Sequence, residues 1–129
     1  MKKVFLFMIA TVLIMSCSEA QNKNEKSELM SVVEVIDAKT FNKKLENPSV
    51  QIVDVRTPDE FSAGSIAGAI NIDYYASDFS EKISELNKQT ETLIYCHSGG
   101  RSGKASKILK ELGFTEVYDL KGGFSNWPF

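Results

Sequence analysis

The chain has 129 residues, 43% of them hydrophobic and 25% charged, ordinary proportions for a protein with room for one domain. Its formal charge is −2 and no run of like charges occurs, which argues against nucleic acid as a partner, because phosphate binding needs clustered basic surface. Small molecules and other proteins are the partner classes left.

The first segment reads as a leader rather than as part of the fold. Lys2 and Lys3 form a positive start, and residues 4–15 are apolar. That stretch is shorter than the roughly 20 residues of a transmembrane helix but suits a secretory signal. It ends in Ile14-Met15-Ser16-Cys17, which resembles the bacterial lipoprotein box. The expectation is a signal peptide over 1–16 and lipidation of Cys17 as the mature N-terminus. The protein would then be exported and lipid-anchored to a bacterial membrane, on its periplasmic or outer-membrane side. Ordinary secretion with cleavage nearby, or an uncleaved anchor, is the alternative. Loss of Lys2 and Lys3 leaves 13 basic against 17 acidic residues, a net −4.

Residues 18–30, SEAQNKNEKSELM, are polar and without periodicity, a composition suited to a flexible tether. The folded domain is expected over 31–129, long enough for one compact core. Its first strand is residues 32–35. A helix over 37–45 follows, with Asp37 as N-cap candidate and Asn47-Pro48 as its stop. Residues 50–55, VQIVDV, are nearly all apolar, as in a central parallel strand covered on both faces. Pro58 opens a short helix over 57–61, GAINI (68–72) is a strand, and 78–86 is a helix. TLIYC (92–96) is a second buried strand. A helix over 101–112 ends at Gly113, and EVYDL (116–120) is the last strand. Strands alternating with helices predict a parallel α/β sheet with right-handed crossovers. In such sheets ligands bind beyond the carboxyl ends of the strands, where Cys96 falls.

With Cys17 assigned to the leader, Cys96 is alone in the domain and cannot form an internal disulfide. The segment CHSGGR (96–101) offers successive backbone N–H groups on a glycine-rich loop that feeds a helix N-terminus. Such a nest binds anions, and together with Arg101 it should depress the pKa of Cys96. Competing motifs fail on spacing. A nucleotide phosphate loop needs glycine where Ser98 stands, and Ser or Thr where Ala105 stands. His97 is the one histidine, too few ligands for zinc and wrongly placed to be a protease partner. No metal and no cofactor is therefore expected. The phosphatase loop, Cys-x5-Arg, is one residue longer than this one, and the smaller ring suits a terminal sulfur better than a phosphoryl group.

Three blocks in order now resemble the rhodanese family: VDVRTPDEFSAGSIAGAINI over 53–72, the loop over 96–101 with Ser102 behind it, and LKGGFSNWP over 120–128. One position departs, Ser65 standing where the family's Gly-His-Ile has histidine. The resemblance implies a three-layer α/β fold, a five-stranded parallel sheet flanked by helices. It also implies a sulfurtransferase in which Cys96 carries sulfur as a persulfide from a donor such as thiosulfate to cyanide or a thiol. Carried over, Cys96 is the nucleophile. The backbone of His97, Ser98, Gly99, Gly100 and Arg101 is the persulfide cradle, and Arg56 and Arg101 are candidate sites for the donor anion. A persulfide carrier or redox module serving a protein partner is the alternative function, with a phosphatase or arsenate reductase on the same fold as a third. Asp54 is expected to serve structure, Arg56 either to bind the anion or to pair with Asp54 or Glu60. Ser98 and Ser102 either donate to sulfur or cap the next helix. Phe124, Trp127 and Phe129 are expected to pack the domain's end.

Overall fold

The structure, a computed structural model, describes residues 31–129. The expected signal peptide, the Cys17 lipidation site and the tether lie outside the described residues. Five strands and four α-helices follow in strict alternation: β1 (Val32–Ile36), α1 (Ala38–Lys44), β2 (Gln51–Asp54), α2 (Pro58–Ser62), β3 (Ile70–Asn71), α3 (Phe79–Ser84), β4 (Thr92–Tyr95), α4 (Gly100–Glu111) and β5 (Glu116–Leu120). The sheet is wholly parallel, in the order β1-β5-β4-β2-β3. All carboxyl ends therefore share one edge, and the loops after β2, β4 and β5 meet there.

Local sequence explains the boundaries. Asp37 caps α1, its Oδ1 accepting from the Thr40 amide at 2.7 Å. At α2, Pro58 occupies the first turn and Thr57 forms a reciprocal capping box with Glu60. α4 begins one residue earlier than expected, because Gly99 takes φ +105° as its N-cap, a conformation that costs glycine little. α3 is shorter than expected at both ends. The 3-10 turn over Phe124–Asn126 leaves no signal in the sequence, since three residues carry no periodicity.

The sheet is covered on both faces. On one, Phe79 and Ile83 of α3 and Ala105 and Leu109 of α4 pack on Val53, Ile94, Cys96 and Val117. On the other, Phe41 of α1, with Trp127 and Phe124 from the chain's end, packs on Ile52, Leu93, Tyr95 and Leu120. Burying each side chain of this size contributes about 1.5–3 kcal/mol. β4 is buried throughout its length at the centre of the sheet, so the residue at its end is anchored in the core.

Candidate functional site

Cys96 directly follows β4 and is 1% exposed. The chain then turns through His97 and Ser98, both exposed, to Gly99, whose amide donates to Cys96 Sγ at 3.0 Å. The Ser102 hydroxyl, fully buried in the first turn of α4, lies 3.4 Å from the same sulfur. Ser102 thus donates to sulfur rather than capping the helix, which has no side-chain cap. The first intrahelical bond of α4 runs from the Gly103 amide to the Gly99 carbonyl. The amides of Gly100, Arg101 and Ser102 are therefore free of helical partners, at the positive end of the helix dipole.

These donors decide the state of the thiol. Burial alone would push Cys96 up, because a thiolate is disfavoured in an apolar setting. The Ser102 hydroxyl and the amides of Ser102, Gly99 and Ser98 act the other way, and the net effect lowers the pKa. A lowered pKa on a sulfur ringed by N–H groups describes a nucleophile whose anionic adduct is also held. The His97 ring takes no part in this ring of donors; its carbonyl accepts from the Ser125 amide at 2.9 Å.

The two arginines part company. Arg101 stands beside the thiol, where the charge of Cys96 helps raise its pKa, but its first partner is Glu60. Nη1 and Nη2 reach Glu60 Oε2 and Oε1 at 2.7 and 2.9 Å, a bidentate pair that ties α4 to α2. Arg101 and the Thr57 groups hold the Glu60 carboxyl at about 2. Beyond Glu60 the guanidinium meets the ring of the exposed Tyr75, 5.6 Å away. Arg56, by contrast, is 3% exposed. Its Nε and Nη2 bond Asp54, the shortest contact being 2.6 Å, and Nη2 also bonds the Gly64 carbonyl at 2.7 Å. Of the two expectations for Arg56, the structure shows the pairing with Asp54: its guanidinium forms an internal ion pair inside the fold. It also lies 4.2 Å from the Phe124 ring centre, so it braces the segment behind the loop.

That segment holds the loop by its backbone. The Phe124 amide donates to the Cys96 carbonyl at 2.8 Å, next to the bond from Ser125 to His97. The two bonds clamp the Cys96 loop from behind. Gly123 makes the approach possible: a Cβ there would sit 2.4 Å from the His97 carbonyl oxygen. The signal was the paired Gly122-Gly123, both at positive φ. Glu60 as the partner of Arg101, Tyr75 on the rim and Asp119 beneath the first turn of α4 also emerge only in three dimensions. Among the described residues no group of three or more metal-ligating side chains is found.

The Rhodanese-like domain pattern matches residues 37–128. YqhL of Bacillus subtilis is 42% identical over 77 residues, 60% of this chain and 60% of its own length. Thiosulfate sulfurtransferase 16, a chloroplastic protein of Arabidopsis thaliana, is 47% identical over 85 residues, 58% of this chain and 71% of that one. The crystal structure of a rhodanese-related protein from Thermoplasma volcanium superimposes with a TM-score of 0.65 at 32% identity, covering 73% of this chain and 89% of the other. With the parallel five-stranded sheet and the cysteine loop at its edge, these matches establish that the chain belongs to the rhodanese-like family.

Proposed function

We propose that the protein is a sulfurtransferase that moves sulfane sulfur through a Cys96 persulfide. One observation carries the reading: Sγ ends the central strand with the Gly99 amide 3.0 Å away and the open amides of α4 beside it. Relatives named as sulfurtransferases, one of them for thiosulfate, support this class of chemistry. The thiolate attacks the outer sulfur of thiosulfate; the sulfur–sulfur bond breaks and sulfite leaves with its electron pair. The product, Cys96–S–S⁻, places its terminal anion among the loop's N–H groups. A thiophilic acceptor, cyanide or a thiolate, then attacks that terminal sulfur and releases the Cys96 thiolate. Arg101, already neutralised by Glu60, would act on the donor through the ion pair as a whole.

Cyanolysis of thiosulfate by the wild type and by Cys96→Ser tests the reading. Turnover confined to the wild type is expected, and activity that survives the substitution overturns it. The domain is further proposed to follow a signal peptide over 1–16 and a tether from the lipidated Cys17, which would place it outside the cytoplasm at a bacterial membrane. Radiolabelled fatty acid should enter the full-length protein in cells and be lost in Cys17→Ser; equal labelling of both contradicts the anchor.

A further inference from the structure

Among the described residues, one buried side-chain oxygen lacks a hydrogen-bond partner: Oδ1 of Asp119. Asp119 sits on β5 in register with Ile94 of β4. Side chains alternate along a strand, so Asp119 shares the sheet face of Ile94, Val117 and Cys96, the face covered by α4. It is 4% exposed. The first turn of α4 crosses directly over it, and Gly103 permits the crossing: a Cβ there would meet Asp119 Oδ2 at 3.8 Å. Ser102, the residue before Gly103, reaches the sulfur at 3.4 Å. A valine at position 119 would fill this layer without the cost of a buried, unpartnered carboxyl, so packing alone does not explain the residue.

We propose that Asp119 is a positioning residue for the reactive thiol, acting through the single hydroxyl hydrogen of Ser102. A serine hydroxyl has one hydrogen to give and two lone pairs. A neutral Asp119 can donate its own proton to Ser102 Oγ, which leaves the serine hydrogen for Cys96 Sγ. An ionised Asp119 competes for that same hydrogen, and its charge opposes a thiolate or persulfide anion. Protonation of the carboxyl therefore strengthens the cradle and ionisation weakens it. Burial pushes the Asp119 carboxyl up to about 6, with Ser102 alone pulling it back, so the change falls in a range a cell can reach. The charged groups around it are Lys104 and Lys107 on α4 and Glu34 on β1, which line a cavity of about 400 Å³ with Asp119 in its wall. Arg101 and Cys96 stand at the loop, and Glu116 opens its own strand. Among the described residues no hydrogen bond reaches the carboxyl, and Ser102, which precedes Gly103 on the turn that crosses it, is the residue there that also touches the sulfur.

The inference rests on Cys96 being the reactive thiol, and its test reads the thiol directly rather than sulfur transfer. Thiolate absorbance and alkylation rate are followed against pH in the wild type, Asp119→Asn, Ser102→Ala and the double variant. The Cys96 midpoint should move down in Asp119→Asn and up in Ser102→Ala, and Asp119→Asn should cause a clearly smaller shift once Ser102 is absent. No shift in Asp119→Asn, or an equal shift in both backgrounds, overturns the relay. A second measurement needs no substitution: the side-chain carboxyl resonance of Asp119 should change its titration midpoint when Cys96 is alkylated. A midpoint indifferent to alkylation sinks the proposal too. Thiosulfate turnover that persists while the titrations are flat rejects this inference alone and leaves the proposed activity standing.

Discussion

Gly123 offers the sharpest perturbation of the site, because its replacement can be worked out atom by atom. It adopts φ +66° and ψ −165°, a region open to glycine and costing other residues about 1–3 kcal/mol. An added Cβ would lie 2.4 Å from the His97 oxygen, 2.5 Å from its carbonyl carbon and 2.6 Å from the Ser98 nitrogen. These are backbone atoms of the Cys96 loop, so no side chain can swing aside. Forcing such an overlap costs about another 1–3 kcal/mol. Gly123→Ala should therefore lose about 2–6 kcal/mol, a large part of the 5–15 kcal/mol typical of a domain. Urea denaturation measures the loss as a lower midpoint. Gly100→Ala is the control, since its Cβ would meet nothing within 4 Å and its φ is not positive. Replacing a helical glycine there should be neutral or stabilising by up to about 1 kcal/mol. The same displacement should weaken the donors at Cys96 and raise its pKa, read by alkylation. Stability and thiol titration unchanged in Gly123→Ala would refute the clamp.

Other substitutions probe the ion pairs around the site. Arg56→Met leaves the buried Asp54 carboxylate unpaired and should cost about 3–5 kcal/mol by urea denaturation, with much of it recovered in Asp54→Asn/Arg56→Met. Glu60→Gln should cost about 1 kcal/mol at neutral pH, a modest figure because the pair is part-exposed to solvent. Since the Glu60 carboxyl is depressed from 4.5 to about 2, that contribution is complete above pH 4.5 and fades as pH falls through 2; stability against pH should show the two proteins converging there. Asp119→Asn runs the opposite way. A carboxyl raised from 3.8 to about 6 destabilises the fold when ionised, so the variant should gain up to about 3 kcal/mol above pH 6 and nothing below 3.8.

Alternation of apolar runs and helix-patterned segments made the parallel sheet legible, because each buried strand is a local run and each helix carries its own stop signals. Asp37 and Pro58 show how far local chemistry reaches: both occupy the helix-start positions that their side chains favour. Cys96 was legible as a lone thiol before a glycine-rich helix start. The pairing of charges was legible only in part, Asp54 being one of two partners open to Arg56 and Glu60 not foreseeable for Arg101. Arg56 finds Asp54 two residues away, whereas Arg101 finds Glu60 across 41 residues, and sequence spacing does not distinguish these choices. The clamp from Phe124 and Ser125 and the carboxyl beneath the first turn of α4 depend on β5 lying beside β4. Strand order is a long-range property, so residues that act across strands stay hidden until the sheet is assembled.

Mass measurement of the purified domain after incubation with thiosulfate tests the persulfide most directly. The wild type should gain the mass of one sulfur atom, located on Cys96 by peptide mapping and lost on addition of cyanide, with none gained by Cys96→Ser. Thiosulfate turnover with no sulfur adduct on Cys96, or the same adduct on the Cys96→Ser protein, would contradict the proposed chemistry.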